Sequence, residues 1–357
     1  MLKPGIMMDR PLLLSGILEH AAVQFGGQEV VSRETHGPLF RYTYAECAQR
    51  SRKLANALQG LNLKAGSVVG SIAWNNHRHL EAYYAVSGSG MVMHTCNPRL
   101  HPQQLIYIIN HAEDEVVLFD ITFAPLIKGI AAHCPKVRAW VCLTDREHMP
   151  DIEGVANVLS YDELIAPASD VFEWPEFDEK TGAAICYTSG TTGRPKGAVS
   201  THRALISSLM AFSARNTIFQ MSGTKLKDVD GPEVPTSFIL IVPLFHVTGC
   251  VPVMLSCFVA GLKLAIMYKW DPEKALEMIE REQITNFVGV PTQSWDLVNS
   301  PAFEKYDTSS LRAVGGGGAP SPTSLVGKVK LLFNGSGKGT KFIFFQCTNF
   351  VLIFIAD

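Results

Sequence analysis

The stretch "YTSGTTGRPKGAV" runs from Tyr187 to Val199. It combines glycines, hydroxyl side chains, a proline and one lysine, a composition that suits a loop better than a helix or strand. The segment "AAICYTSG" that leads into it has the apolar character of a buried strand, and "HRALISSLMAFSARN" beyond it has that of a helix. The sequence therefore predicts a strand, a polar glycine-rich loop and a helix, in that order.

The composition of this loop favours the binding of phosphate groups. Glycines let backbone N–H groups approach an anion closely, and Lys196 adds a mobile positive charge. A helix N-terminus after the loop would strengthen the site. The alternative is a solvated turn, but the position directly after a buried strand favours phosphate binding. The loop is not a Walker motif, because Pro195 stands where that motif requires its second glycine.

Outside the loop, short apolar strands alternate with helical segments, a pattern typical of an α/β fold with mostly parallel sheets. Thr43 and Glu46 have the spacing of a capping box at a helix start, and Pro102 stands near another. We expect two α/β subdomains, over residues 1–175 and 176–326. Residues 327–357 show no clear amphipathic period and form an atypical tail.

Bulk composition excludes several functional classes. The chain has 357 residues and a formal net charge of -2, which gives no electrostatic argument for binding nucleic acid or an anionic membrane. Its eight cysteines include no CxxC pair, and a reducing compartment is the simplest setting. We expect no signal peptide, no transmembrane anchor and no peroxisomal C-terminal tripeptide, and hence a cytoplasmic protein. The sequence gives no indication of oligomeric state.

Three segments together resemble a known superfamily. They are "YTSGTTGRPKG", "PLFHVTG" (Pro243–Gly249) and "GGGGAP" (Gly315–Pro320), in this order. The chain resembles the adenylate-forming enzymes, which include acyl-CoA synthetases, luciferases and peptide-synthetase adenylation domains. The segments "WNNHRHLEAYYAVSGSG" and "NPRLHPQQLIYIINHAED" look most like medium- and long-chain fatty acyl-CoA synthetases. The resemblance covers about Met8 to Val326 and implies the stacked α/β subdomains of that family's large N-terminal domain.

The resemblance implies a reaction in two halves with ATP, Mg²⁺ and CoA. A fatty acid carboxylate attacks the α-phosphate of ATP, which gives an acyl-adenylate and pyrophosphate, and the CoA thiol then displaces AMP. The implied phosphate-binding residues are Thr188, Ser189, Gly190, Thr191, Thr192, Gly193 and Lys196. The implied acyl- and adenylate-binding residues are His246, Gly316, Gly317, Gly318, Ala319 and Pro320.

The family pattern stops after these segments. The Thr-Glu segment, the ribose-binding Asp, the hinge Arg and the small domain with the catalytic lysine are not found, and "GSGKGTKFIFF" stands in their place. We therefore assign no catalytic residue and no metal ligand. We expect a C-terminally truncated synthetase with an aberrant end that forms little or no thioester. The alternatives are a non-catalytic nucleotide- or acyl-binding remnant and an inactive gene-model fragment.

Some residues also have a simpler structural interpretation. His246 by itself would be a core histidine, and four successive glycines would be a plain turn. Five further histidines could suggest a metal, but they are spread over separate elements without ligand spacing; they are His77, His79, His94, His101 and His111. The segment "NGSGKGT" (Asn334–Thr340) resembles part of an adenylate-kinase loop, but Leu332 stands where that loop needs glycine.

Overall fold

The computed structural model describes residues 9–188, 194–221, 234–317, 324–325 and 346–347. The helices are α1 (Leu14–Gln24), α2 (Tyr44–Gly60), α3 (His77–Gly88), α4 (Pro102–Ala112), α5 (Ala124–Ile130), α6 (Tyr161–Ile165), α7 (His202–Met221), α8 (Val247–Gly249), α9 (Ser256–Ala260), α10 (Pro272–Glu282) and α11 (Pro291–Asn299). A π-helical segment, Cys250–Leu255, connects α8 to α9, and short 3₁₀ turns occupy Ile121–Phe123, Ala131–His133 and Phe303–Lys305.

The strands are β1 (Glu29–Arg33), β2 (Phe40–Thr43), β3 (Val68–Ile72), β4 (Val92–Thr95), β5 (Asp114–Phe119), β6 (Ala139–Cys142), β7 (Val158–Ser160), β8 (Gly182–Thr188), β9 (Lys196–Thr201), β10 (Ser237–Leu240), β11 (Lys263–Met267), β12 (Asn286–Gly289), β13 (Ala313–Gly317) and β14 (Gln346–Cys347). They form two seven-stranded sheets. Sheet A has the order β14-β13-β12-β10-β11-β1-β2, and sheet B has the order β7-β6-β5-β3-β4-β8-β9.

Both sheets are parallel except for one antiparallel hairpin at an edge of each. The hairpin β1–β2 closes sheet A, and the hairpin β8–β9 closes sheet B. The predicted α/β fold with stacked, mostly parallel sheets is confirmed. The division into subdomains near residue 175 stays a prediction, but each sheet takes strands from both sides of that position. No helix in the described part of the chain is long and apolar enough to cross a membrane.

Helix α3 lies at the centre of the fold. Every residue of this helix except Arg78 is buried, and the helix packs on α1, α2, β4 and β8. Its one acidic residue, Glu81, is fully buried and accepts hydrogen bonds from Arg50 Nε at 2.8 Å and from the Tyr161 hydroxyl at 2.7 Å. A buried carboxylate is tolerated only with such partners. The pairing therefore fixes α3 against α2 and α6.

One hydrophobic core joins the two sheets. Its largest cluster contains Val69 and Met93 from sheet B together with Leu240 and Leu264 from sheet A. In the same cluster, the ring of Tyr44 at the start of α2 stacks on Phe258 of α9, with ring centres 4.1 Å apart. Separation of the sheets would expose this shared apolar surface, so the two sheets fold as one packed unit.

Two buried histidines are held in the neutral form. His79 Nε2 lies 3.1 Å from the Ser71 hydroxyl, and its Nδ1 lies 3.0 Å from the carbonyl of Trp74. His202 Nδ1 accepts a hydrogen bond from the Leu14 N–H, whereas its Nε2 is buried without a partner. Burial lowers the pKa of both imidazoles from 6.5 to about 4. Protonation of either side chain would therefore place an uncompensated charge in the core.

The free energy of unfolding should fall as the pH drops from 6.5 to about 4. The unfolded chain binds protons at these histidines near pH 6.5, whereas the folded chain resists them until about pH 4, so stability is lost on acidification. The expected loss is roughly 3 kcal/mol for each side chain. Urea unfolding at a series of pH values measures it.

The substitution His202→Asn keeps an acceptor for the Leu14 N–H and removes the titrating group, so it should flatten this pH dependence. His133→Asn is the matched control, because His133 is exposed. A stability that does not change between pH 6.5 and 4.5, or an equal flattening in the control, would contradict the assignment.

Candidate functional site

The phosphate-loop segment connects the two strands of the hairpin β8–β9. Thr188 ends β8 and Lys196 begins β9, and the two residues face each other in the antiparallel register. The Thr188 hydroxyl lies 3.5 Å from the Lys196 carbonyl, and the Lys196 side chain is exposed. The predicted phosphate-binding residues Ser189, Gly190, Thr191, Thr192 and Gly193 lie outside the described residues.

The predicted strand before the loop and the predicted helix from His202 are confirmed, but an additional strand lies between the loop and that helix. The segment after the loop forms the strand β9, and helix α7 begins only at His202. The reason is the pairing of β9 with β8 over six residue pairs, a tertiary interaction that the local composition does not reveal. The amino end of α7 therefore does not follow the loop directly and supplies no donors at the position expected from the sequence.

Helix α4 holds both arms of this hairpin. On the β8 side, the Tyr187 hydroxyl lies 2.6 Å from His111 Nδ1. On the other side, the Arg194 guanidinium lies over the Tyr107 ring, 5.5 Å from its centre. His111 and Tyr107 are one helical turn apart on α4, with ring centres separated by 5.3 Å. Two contacts from one rigid helix thus fix the ends of a loop that is rich in glycine.

A buried ion pair lies beneath Tyr187. His94 Nδ1 lies 2.9 Å from both carboxylate oxygens of Asp114, and both residues are fully buried. Although burial opposes it, the Asp114 carboxylate raises the pKa of His94 well above its usual value. A Cβ on Gly70 would approach the Asp114 carboxylate to 2.5 Å, so glycine leaves the space that this pair needs. The pair therefore supports the strand that leads into the loop.

The second predicted segment follows β10, and Asn75 fixes it. The Asn75 amide nitrogen donates to the carbonyl of Val242 at 3.1 Å, and its side-chain oxygen accepts from the N–H of Leu244 at 2.8 Å. Asn75 follows β3 in sheet B, whereas Val242 and Leu244 follow β10 in sheet A. This buried side chain therefore joins the carboxyl ends of strands from both sheets.

His246 lies at the surface within this segment. The residue is exposed, and the chain turns around it because its N–H donates to the Pro243 carbonyl at 2.9 Å. Neighbouring protein atoms partly desolvate the ring and Arg99 lies near it, and both effects lower the pKa of His246 below its usual value. Gly249 is required here, since a Cβ would come within 2.6 Å of the Val242 carbonyl. The core-histidine interpretation of His246 is excluded by its exposure.

An aromatic and cationic cluster lies beside His246. Trp74 packs against Phe123 and Phe245, with ring centres 5.3 and 6.5 Å away. The Arg99 guanidinium and the Lys269 ammonium both lie over the Trp74 ring, 5.5 and 5.7 Å from its centre. Within the described part of the chain, neither cation forms an ion pair with a carboxylate. The cluster therefore places two exposed cations against the buried ring of Trp74.

The third predicted segment, Gly315–Pro320, begins in the last residues of β13. Gly316 pairs with Gly289 of β12, and Gly316 and Gly317 pair with β14. The other three predicted residues, Gly318, Ala319 and Pro320, lie outside the described residues. Strands β10, β12 and β13 are parallel neighbours, so this segment and the His246 turn emerge at the same edge of sheet A.

The described residues of the three segments lie at the carboxyl edges of the two sheets. Thr188 ends β8, two strands from β3, so it emerges at the edge of sheet B that carries Asn75. Asn75 contacts the corresponding edge of sheet A, where the segments of His246 and Gly316 lie. In the described ranges, no hydrogen bond or ion pair connects the three segments directly.

A family model described as "AMP-binding enzyme" matches residues 18–340 of the chain. The chain belongs to the AMP-binding enzyme family. This membership confirms the resemblance that the three segments predict, since the match includes all of them.

Relatives in this family agree with the assignment. The chain is 38% identical over 323 residues to the 3-methylmercaptopropionyl-CoA ligase of Ruegeria lacuscaerulensis. The aligned region covers 90% of the chain and 57% of the relative. It is 37% identical over 323 residues to the medium-chain-fatty-acid–CoA ligase of Ectopseudomonas oleovorans, with the same coverage of 90% and 57%. The chain thus spans a little over half the length of these relatives.

A solved structure shares the fold. The long-chain-fatty-acid-CoA ligase of Archaeoglobus fulgidus superposes on this chain with a TM-score of 0.76 and a sequence identity of 22%. The superposition covers 96% of this chain and 66% of the ligase. At this identity the likeness concerns the fold alone. It supports the two stacked sheets as a shared architecture.

Sequence reasoning did not identify Asn75, Trp74 or Lys269 as site residues. Asn75 occurs in the quoted segment "WNNHRHLEAYYAVSGSG", but its partners lie far along the chain, and Leu244 is separated from it by 169 residues. Arg99 is exposed in the structure. The one signal for Asn75 in the sequence is its position as a polar residue between a predicted strand and a predicted helix.

Replacing Asn75 with alanine should destabilise the protein by about 2–4 kcal/mol, because a buried carbonyl and a buried N–H lose their partner. The same change should weaken the binding of an aliphatic acid beside His246, because the hydrogen bonds of Asn75 hold that segment in position. Urea unfolding measures the first effect and isothermal titration the second.

Asn56→Ala is the matched control for this change. The Asn56 amide also donates to two backbone carbonyls, those of Ser169 and Val171, but at the protein surface. Water replaces those partners, so we expect a loss below about 1 kcal/mol. Equal losses for the two variants would show that Asn75 has no special role.

Proposed function

We propose that this chain carries the ATP- and acid-binding part of an acid–thiol ligase that activates an aliphatic carboxylic acid. The observation that carries the proposal is the family match over residues 18–340, and the described residues of its three segments, which lie at carboxyl edges of the two sheets, support it. The relatives named above are ligases that join two different acids to CoA. The proposal therefore specifies the class of acid and leaves its chain length open.

The proposed chemistry begins with attack of the acid's carboxylate oxygen on the α-phosphorus of ATP. The bond to the leaving pyrophosphate breaks as the bond to the acid forms, which gives an acyl-adenylate. The thiolate sulfur of CoA then attacks the acyl carbon and AMP leaves. Both steps depend on positioning and on neutralising phosphate charge rather than on a covalent enzyme intermediate.

The hairpin β8–β9 supplies the phosphate site in this proposal. Lys196 is exposed at the start of β9 and is free to follow phosphate oxygens during the reaction, and Thr188 faces it with a hydroxyl. The contacts of Tyr187 and Arg194 with α4 hold the two arms, so the loop between them starts from a fixed spacing. Mg²⁺ would accompany ATP and neutralise its phosphates, and we assign no residue to hold it.

The acid would lie beside the turn that contains His246. The exposed imidazole packs against the buried ring of Phe245, which in turn packs against Trp74. An aliphatic chain that inserts beside the imidazole would therefore meet apolar rings. The cations Arg99 and Lys269 lie on the same surface without carboxylate partners among the described residues. They would attract phosphate-bearing substrates, ATP or CoA, toward this edge.

The substitution Lys196→Ala should weaken ATP binding at least tenfold, which corresponds to about 1.4 kcal/mol, because a charge that meets phosphate oxygens is lost. Lys196→Arg should lose less, since it keeps the charge. Isothermal titration with ATP and Mg²⁺ measures these affinities, and acid-driven exchange of pyrophosphate into ATP measures activation of the acid.

Lys180→Ala is the matched control, because Lys180 is exposed just before β8, at the opposite end of the hairpin. ATP affinity that is unchanged in Lys196→Ala, or reduced equally in Lys180→Ala, would contradict the phosphate site. ATP binding without pyrophosphate exchange for any aliphatic acid would reject the ligase proposal and leave a nucleotide-binding protein.

A further inference from the structure

A surface cluster of two histidines and one aspartate joins parts of the chain that are far apart in sequence. His36 lies in the turn between β1 and β2, whereas Asp145 and His148 lie in the loop after β6. One donor atom from each side chain lies within 4.8 Å of the donor atoms of the other two. We propose that this His–Asp cluster binds a divalent transition-metal ion such as Zn²⁺.

The hydrogen bonds of the cluster orient both imidazoles for metal binding. His148 Nδ1 lies 2.8 Å from the Asp145 carboxylate, which also accepts the His148 backbone N–H at 3.0 Å. His36 Nδ1 lies 2.9 Å from the Thr35 hydroxyl. When each Nδ1–H donates to its oxygen partner, the Nε2 lone pair is left free. Metal-binding histidines are commonly oriented by a carboxylate or hydroxyl in this way.

The two rings already lie next to each other. The ring centres of His36 and His148 are 3.7 Å apart, and the ring planes differ by 25°. Zinc–nitrogen bonds of about 2.1 Å place neighbouring ligand atoms roughly 3.4 Å apart. Because the rings are stacked, one of them has to turn about its Cβ–Cγ bond, with a new hydrogen-bond partner for its Nδ1, before both nitrogens face a common ion. The segments therefore need no large movement to form the site.

The donor set selects the kind of ion. Two imidazole nitrogens suit Zn²⁺, Ni²⁺ or Cu²⁺, with Asp145 as the carboxylate that orients His148, whereas Mg²⁺ prefers oxygen ligands alone. The side chains of Asp145 and His148 are 40% and 43% exposed, so the ion can enter and water can complete its coordination. The site is thus chemically distinct from the Mg²⁺ that accompanies ATP in the proposed reaction.

The position of the cluster indicates a structural role. His36 belongs to the hairpin at the edge of sheet A, and Asp145 and His148 follow a strand of sheet B. Nearby, Glu34 accepts a hydrogen bond from Arg78 of α3 at 3.1 Å, which already connects this hairpin to the buried helix. A bound ion would add a direct link between the two sheets and would stabilise the folded chain by mass action.

Isothermal titration of the purified chain with ZnCl₂ tests the proposal. We expect one ion bound at this cluster, with affinity at least tenfold lower in His36→Ala and in His148→Ala. His133→Ala is the matched control, because His133 is exposed and lies outside the cluster, and its affinity should equal that of the unchanged protein. Zn²⁺ should also raise the thermal midpoint of the unchanged and control proteins, but not of the two cluster variants.

Circular dichroism without metal shows whether each variant keeps the fold and its thermal midpoint, so a lost site can be distinguished from a lost structure. Zinc affinity that is the same in the unchanged protein and in both cluster variants would overturn the proposal. So would a loss caused by Cys96→Ser alone, because it would assign the ion to the buried group of His94, Cys96 and Asp114. Displacement of Zn²⁺ by an equal concentration of Mg²⁺ would also overturn it.

Discussion

The buried amide of Asn75 connects the two sheets at the point where their functional segments emerge. It donates to the Val242 carbonyl and accepts from the Leu244 N–H, and all of these groups are shielded from water. A buried amide and two buried backbone groups must satisfy one another, because water cannot replace any of them. The distance between the end of β3 and the end of β10 is therefore fixed. Every segment of the candidate site takes its position from one of these two sheet edges.

Two of the three segments combine a rigid support with an exposed side chain. The hairpin β8–β9 is held by Tyr107 and His111 of α4, while Lys196 remains exposed. The turn after β10 is held by Asn75, while His246 remains exposed. Such a division suits substrates that enter and leave, since the support need not rearrange in each cycle. The hydrophobic core that both sheets share keeps the two supports at fixed relative positions.

Local signals in the sequence predicted local structure well. The capping box of Thr43 and Glu46 is present at the start of α2, and Pro102 occupies the first turn of α4. The alternation of strands and helices predicted the parallel sheets. Strand β9 was missed because only its pairing with β8 defines it. The role of Asn75 and the approach of His36 to His148 were missed because each joins distant parts of the chain. The three motifs predicted the family, but their spatial relation required the fold.

The proposed function requires one bound substrate pair to contact the carboxyl edges of both sheets. A crystal structure with a non-hydrolysable ATP analogue and an aliphatic acid would show where the pair binds. We expect the phosphates of the analogue against Thr188 and Lys196 of the hairpin, and the chain of the acid beside His246. Nucleotide bound away from the hairpin, or acid bound away from the turn after β10, would contradict it.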